Sequence, residues 1–364
     1  MNKRVLMLGT GFDTKGGIAS VVNAYREAGL FERCAVQYVQ THGDGSVARK
    51  LRLALVAWFR VVGALLRGQV KLVHVHMSSR ASFWRKSLLA LPCLVAGKPL
   101  LLHLHSGEFH VFHDQEAGPL TRRAVRWLFG RAARVVVLSA SRAAWVRSTF
   151  PAARVCVLHN PVNVPPATPF EAREPCTILF LGRLGQGKGT YDLVQALTHV
   201  VRAFPDVRLL LGGDGELDQV RAHASSLGVD RHVECLGWVT GEKKRELLAR
   251  CTVFTLPSYN EGQPMSVLEA MAAGAPVLST RVGGVPDALR DRVEGLLVEA
   301  GDIPALGAAL TELLADAALR RRLGEAARGR VCTAFSTEVL LPSLETLYTE
   351  LIAAGCRRRG PPTG

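Results

Sequence analysis

Glu261 and Glu269 bracket a proline, Pro264, that can start a helix, and Gly274 can end it, within the run Pro257-Ser258-Tyr259-Asn260-Glu261-Gly262-Gln263-Pro264-Met265-Ser266-Val267-Leu268-Glu269-Ala270-Met271-Ala272-Ala273-Gly274. The spacing puts Glu261 in the loop ahead of the helix and Glu269 about a turn and a half inside it. A helix N-terminus beside glycine offers free N–H groups to a sugar hydroxyl or a phosphate. Carboxylates on either side of that point accept paired hydroxyl hydrogen bonds, so the two can grip two different polyols. The blander alternative is a helix cap and a surface charge. A second run, Gly182-Arg183-Leu184-Gly185-Gln186-Gly187-Lys188-Gly189, nearly matches a nucleotide-triphosphate loop. Gly189 stands where Ser or Thr would bind magnesium, which argues against a triphosphatase. What remains is Arg183 and Lys188 in a flexible loop between a strand and a helix, able to converge on one diphosphate.

Earlier in the chain, Gly9-Thr10-Gly11 resembles the start of a dinucleotide fingerprint, but Thr14 replaces its third glycine. Gly16 and Gly17, just before an expected helix, are better suited to an anion through bare backbone N–H groups. In Leu102-His103-Leu104-His105-Ser106-Gly107-Glu108-Phe109, period-two alternation puts His103 and His105 on the same side of a strand, with His105 nearer the polar loop. His74 and His76 form a similar pair. No carboxylate or cysteine accompanies them at ligand spacing, so no metal site is expected there.

The elements that must position these residues follow from hydrophobic patterning. Short β-rich runs (Val5–Leu8, Val36–Val39, Leu72–His76, Leu100–Leu104, Val135–Ser139, Val155–His159) alternate with helical patterns at Gly17–Gly29, Ala48–Leu66 and Thr121–Gly130. The Pro-rich stretch from Asn160 to Pro175 reads as a linker. The alternation then restarts with strands at Thr177–Leu181, Arg208–Gly212, Val233–Leu236, Val253–Leu256, Pro276–Ser279 and Gly295–Val298. Helices fit Tyr191–Phe204, Glu216–Leu227, Lys243–Arg250, Met265–Ala273 and Ile303–Ala315. This predicts two doubly wound α/β domains, residues 1–165 and 166–335, with ligand bound between them at the carboxyl ends of both sheets. An amphipathic helix over 336–352 and a frayed tail from Arg357 to Gly364 complete the chain.

The 364 residues suit two domains, and 48% hydrophobic with 21% charged residues is a globular composition. Aromatics at 6% argue against a stacking platform for single-stranded nucleic acid. No apolar run reaches the roughly 18–20 residues of a membrane span. The eight cysteines show no C-x-x-C pair, which points to reduced thiols in a cytoplasm and to no structural metal. Charge is uneven: residues 1–170 hold 23 Lys and Arg against 7 Asp and Glu, and the remainder hold 22 against 24. Arg49, Lys50, Arg52, Arg60 and Arg67 surround Trp58 and Phe59, while Arg80, Arg85 and Lys86 surround Phe83 and Trp84. Basic helices with such aromatics suit an anionic membrane surface, peripheral at the inner face of the plasma membrane.

Taken together, the Glu261/Glu269 pair, Gly182-Arg183-Leu184 with Lys188-Gly189, Leu211-Gly212-Gly213-Asp214-Gly215-Glu216-Leu217, Val282-Gly283-Gly284-Val285-Pro286-Asp287 and Gly16-Gly17-Ile18 make the sequence resemble the retaining glycosyltransferases of family 4, which have the GT-B fold. The likeness covers nearly the whole chain and is densest between residues 178 and 300. It implies that Glu269 binds the ribose of a nucleotide sugar (a UDP- or GDP-sugar) and that Arg183 and Lys188 hold its diphosphate, with Gly16 and Gly17 approaching the same phosphates. Glu261, with Gly262, Gln263, Pro264 and Met265, would face the transferred sugar, and His105 would lie beside it. It also implies a terminal helix crossing back to the first domain and a glycan or lipid-linked acceptor in cell-surface polysaccharide synthesis. Arg183, Lys188 and the helix amides would neutralise the leaving charge, and no convincing Asp-x-Asp motif occurs, so neither cofactor nor metal is expected. The rivals are a nucleotide-sugar epimerase or hydrolase on the same fold, and a basic nucleic-acid binder. The latter lacks any groove-reading module.

Overall fold

Apolar runs buried on both faces favour parallel strands covered by crossover helices. In the computed structural model, which describes residues 5–357, they form two sheets of six strands. The first contains β1 (Val5–Gly9), β2 (Val36–Gln40), β3 (Leu72–Met77), β4 (Leu100–Leu104), β5 (Arg134–Val137) and β6 (Val155–Val157), in the order β2-β1-β3-β4-β5-β6. The second contains β7 (Thr177–Leu181), β8 (Arg208–Gly212), β9 (Val233–Gly237), β10 (Val253–Leu256), β11 (Val277–Thr280) and β12 (Leu296–Val298), in the order β12-β11-β10-β7-β8-β9. All neighbours pair in parallel. The direction of winding reverses between β1 and β3 in one sheet and between β7 and β10 in the other. At such switch points the loops leaving the strands diverge and open a crevice for ligand.

The chain divides into two compact units, one running to Pro161 and resuming at Thr337, the other from Val162 to Ser336. The terminal helix, Thr337–Arg357, belongs to the first unit, where Leu341, Leu344 and Tyr348 are almost fully buried. The stretch after Asn160 is not a free linker. Val162 donates its N–H to the Phe335 carbonyl at 2.9 Å. The half-buried Arg173 guanidinium donates to the carbonyls of Leu248, Cys251 and Ala273 at 2.7–3.1 Å. Proline and charge disguised a segment that is laced to the second unit by backbone acceptors. Helices Ala140–Thr149 and Ala317–Ala334 were not expected, because their Ala- and Arg-rich sequences carry few large apolar residues. The terminal residues 358–364 of the expected tail lie outside the described residues.

Candidate active site

In the second unit the loops after β7, β8, β10 and β11 are bound into one another. Leu184 donates its N–H to the Asp214 carbonyl at 2.6 Å, and Tyr259 donates to the Gly187 carbonyl at 3.1 Å. The Tyr259 hydroxyl reaches Asp192 at 2.7 Å, and Thr280 reaches the Ser258 carbonyl at 2.5 Å. Two glycines of the motifs have a steric reason. Any Cβ on Gly213 would collide with the Gly182 carbonyl. Gly283, at φ +54°, lies with its Cα against the Glu261 carbonyl, so a side chain is excluded by both conformation and space. These contacts fix the backbone of the Glu261 loop at the β7/β10 switch point.

The charged residues are placed as follows. Glu261 is 8% exposed, and its Oε1 accepts from Lys188 Nζ at 2.6 Å and from Ser258 Oγ at 2.8 Å. The loop cation and the loop carboxylate, given separate roles by sequence, are thus brought together. Arg183 is exposed and has no hydrogen-bonding or ion-pair partner among the described residues. Gly262, Gln263, Pro264 and Met265 are buried. The helix Met265–Ala272 starts at Pro264 with no side chain capping its N-terminus. Glu269, on that helix, accepts from Lys244 Nζ at 2.7 Å. Lys244 was missed in the sequence because it lies on a different helix, Gly241–Arg250, with no spacing to betray it.

In the first unit Gly16, at φ +129°, precedes the helix Gly17–Glu27, and a methyl group added at Gly16 or Gly17 would meet no atom within 4 Å. This is the β1/β3 switch point. Beside it, parallel register aligns His76 with His103, so His74, His76 and His103 share one face of the sheet, with His105 just beyond β4. The four imidazoles form a layer with neighbouring ring centroids 4.2–5.4 Å apart. His76 Nδ1 lies 2.8 Å from His105 Nε2, and His74 Nδ1 lies 2.6 Å from the Tyr348 hydroxyl. Burial holds the pKa of His74, His76 and His105 well below the ordinary range, and drives that of His103 down to about 3. Lys86 is fully buried against the His76 carbonyl, and burial lowers its pKa to about 7. One nitrogen from each of His74, His76 and His103 falls within 4.8 Å of the others, a convergence that only the paired register reveals. No carboxylate or thiolate joins them in that group.

The residues of the motifs therefore line the carboxyl ends of two doubly wound sheets, where a nucleotide-binding chemistry belongs. Residues 168–330 match the family model "Glycosyl transferases group 1", and residues 1–164 match "Glycosyltransferase Family 4". The chain belongs to the family 4, group 1 glycosyltransferases. This glycosyltransferase is 29% identical over 328 residues to the phosphatidyl-myo-inositol mannosyltransferase of Mycobacterium leprae, covering 86% of the chain and 82% of that protein. Among solved structures it superposes on sucrose-phosphate synthase of Thermosynechococcus elongatus with a TM-score of 0.80 at 22% identity, over 97% of this chain and all of that one. The Anabaena HepE protein in complex with UDP and glucose gives 0.73 at 20% identity, over 95% of this chain and 100% of that one. The fold is that of the GT-B glycosyltransferases, as the motifs implied.

Proposed function

We propose that this glycosyltransferase moves a sugar from a UDP- or GDP-sugar to a hydroxyl of a glycan or lipid-linked acceptor, with retention of anomeric configuration. The observation that carries the reading is the β7/β10 switch point, where unpartnered Arg183, the Lys188–Glu261 pair and an uncapped helix N-terminus stand together. Arg183, Lys188 and the helix N–H groups take the charge of the diphosphate as the anomeric C–O bond breaks. The acceptor oxygen forms its bond on the face the diphosphate leaves, and the departing phosphate takes the acceptor proton. Glu261 faces the sugar as positive charge grows on it, and Glu269 accepts from the ribose hydroxyls. In the first unit, Gly16 and Gly17 offer backbone N–H groups suited to a phosphate, and His105 offers its ring to a sugar hydroxyl. With these cations supplying the charge, transfer needs neither cofactor nor divalent metal.

The acceptor is assigned to lipid-linked or glycan material of cell-surface polysaccharide synthesis at the inner face of the plasma membrane. No helix among the described residues is long and apolar enough to cross a membrane. Support comes from the helix Val47–Leu66, which turns small residues (Ala57, Val61, Ala64) inward and leaves Leu51, Leu55 and Phe59 58–67% exposed. Trp58 is also exposed, so Trp58 and Phe59 are not core residues. On the neighbouring helix Ala81–Val95, Trp84, Leu88 and Leu91 are exposed. Phe83 and Lys86 are fully buried and Arg85 is half-buried, which removes Phe83 and Lys86 from the expected basic face.

The experiment is to incubate the protein with UDP-, GDP- and ADP-sugars, a polyprenyl-diphosphate or glycolipid acceptor and excess chelator. Product anomeric configuration is then read by NMR. One donor should give a product of unchanged configuration with chelator present. An inverted product, activity restored only by magnesium, or donor turnover indifferent to any acceptor would refute the respective part of the reading.

A further inference from the structure

The histidine layer is wired as two lines. In one, His103 Nδ1 lies 3.3 Å from His74 Nε2, and His74 Nδ1 continues to the Tyr348 hydroxyl. In the other, His76 Nδ1 meets His105 Nε2. The remaining nitrogen of each leading ring, Nε2 of His103 and Nε2 of His76, is buried without any partner, and both side chains are 0% exposed.

A neutral imidazole carries one N–H and one lone pair. A buried N–H without an acceptor is costly, and such orphans are rarer than unused acceptors. His103 and His76 therefore keep their protons on Nδ1, where an acceptor waits, and leave a bare lone pair at Nε2. His74 Nε2 then accepts, so the proton of His74 sits on Nδ1 and is donated to Tyr348. By the same step His105 Nε2 accepts, which leaves the proton of His105 on Nδ1.

We propose that His76 is a positioning residue that holds His105 as its Nδ1–H tautomer, so that His105 offers the substrate a single N–H donor and no base. The inference rests on the reading of His105 as the histidine facing the sugar. The parallel line indicates what that N–H is built to meet, since His74 in the same tautomer ends on a hydroxyl. A sugar hydroxyl is the matching partner for His105. Among the described residues, the titratable groups seen against the layer are Tyr25, whose ring lies 6.0 Å from that of His76, together with Tyr348 and Lys86, and none of these is a carboxylate. Burial keeps all four rings neutral near pH 7. A divalent ion held by His74, His76 and His103 would take ring lone pairs, the bare ones at Nε2 of His76 and His103 among them, and would shift those nitrogens, which the hydrogen-bonded relay alone does not.

The test uses the full chain, as purified, labelled with 15N in its histidine rings, with His105 assigned by comparison with His105→Gln. Long-range proton–nitrogen spectra should show His105 with a protonated Nδ1 and an unprotonated Nε2, unchanged across about pH 6–8. His76→Leu should release His105 from this tautomer and lower kcat about tenfold, with nucleotide affinity shifted less than about twofold. His76→Asn, whose amide nitrogen donates from near the Nδ1 position, should recover most of both. An Nε2-protonated or doubly protonated His105 in the wild-type protein overturns the proposal. So does stoichiometric zinc with metal-shifted ring nitrogens, or equal losses in the Leu and Asn variants. If His105→Ala turns over normally, the reading of His105 itself fails, an outcome distinct from a wrong tautomer.

Discussion

Glu269 is held by a cation 25 residues earlier, Lys244, and that pairing sets what each residue does for a nucleotide. If the carboxylate accepts from ribose hydroxyls, Glu269→Ala should weaken nucleotide binding by about 1.5–3 kcal/mol, the worth of a hydrogen bond to a charged group. Lys244→Met should weaken it by about 1 kcal/mol or less, because both side chains are partly exposed, at 24% and 17%. Calorimetric titration with the nucleotide reads both, and undiminished affinity in Glu269→Ala would remove ribose from this site. The buried histidines carry a second prediction. Their folded-state pKa values lie below the ordinary 6.5, so below that pH the unfolded chain takes up protons that the folded chain refuses. Stability should fall as pH drops from 6.5, by at most about 1.4 kcal/mol per pH unit for each histidine, and for His103 down to about 3. Lys86 extends the trend, adding stability as pH rises from about 7 to 10.5. Urea midpoints at stepped pH measure this, with His103→Leu expected to flatten the slope by one proton. A flat profile in the wild-type protein would mean the layer is hydrated and free to charge.

Among the elements, most strands were legible as apolar runs short enough to exclude a buried helix, and all were expected within a residue or two of where they lie. The loops that hold Arg183, Lys188 and Glu261 were legible through glycine and proline, whose backbone demands show in the sequence. The convergence of four histidines was not, since it depends on the register of β3 with β4, which no local pattern encodes. Burial also divided the second basic helix in a way composition could not foresee, sending Lys86 inward and Trp84 outward. The helix Val47–Leu66 buries only Ala57, Val61 and Ala64 and leaves larger apolar residues outside, and that exposed stripe carries its own prediction. Leu51, Leu55 and Phe59 recur at a spacing of four residues, so they lie along one exposed stripe flanked by exposed Arg49, Arg52 and Arg60. Each basic residue near an anionic bilayer adds about 1 kcal/mol, in addition to burial of the apolar stripe. The protein should co-sediment with phosphatidylglycerol vesicles at low salt, release at high salt, and largely fail to bind after combined Leu51, Leu55 and Phe59 replacement by Ser. Equal recovery in the supernatant with anionic and neutral vesicles at low salt would end the membrane assignment.

At the scale of the molecule, the second unit is one uninterrupted stretch of chain and the first is not. The second unit closes on itself, with Val162 bonded to Phe335 and bridged to Ser336, so its two ends lie together. The first unit depends on a returning helix, in which Leu341, Leu344 and Tyr348 are buried to 2% exposure or less and the Tyr348 hydroxyl completes the hydrogen bonding of His74. Losing those three side chains would forfeit about 1.5–3 kcal/mol each, roughly 5–9 kcal/mol in all. That is comparable with the whole stability of a domain, about 5–15 kcal/mol. Residues 162–336 expressed alone should therefore fold and melt cooperatively, whereas residues 1–161 should fold only when the 337–357 segment is supplied through a tether. The donor assignment then has its own readout. Every charged group proposed to hold the nucleotide lies in the second unit, so that fragment should gain about 2.7 kcal/mol of stability at nucleotide concentrations near 100 times its Kd. Thermal melting with UDP, GDP and ADP measures the gain and identifies the base in the same experiment. If the fragment folds yet no nucleotide raises its melting temperature, the donor site does not reside in residues 162–336. If residues 1–161 melt cooperatively by themselves, the terminal helix is a covering and not a part of the core.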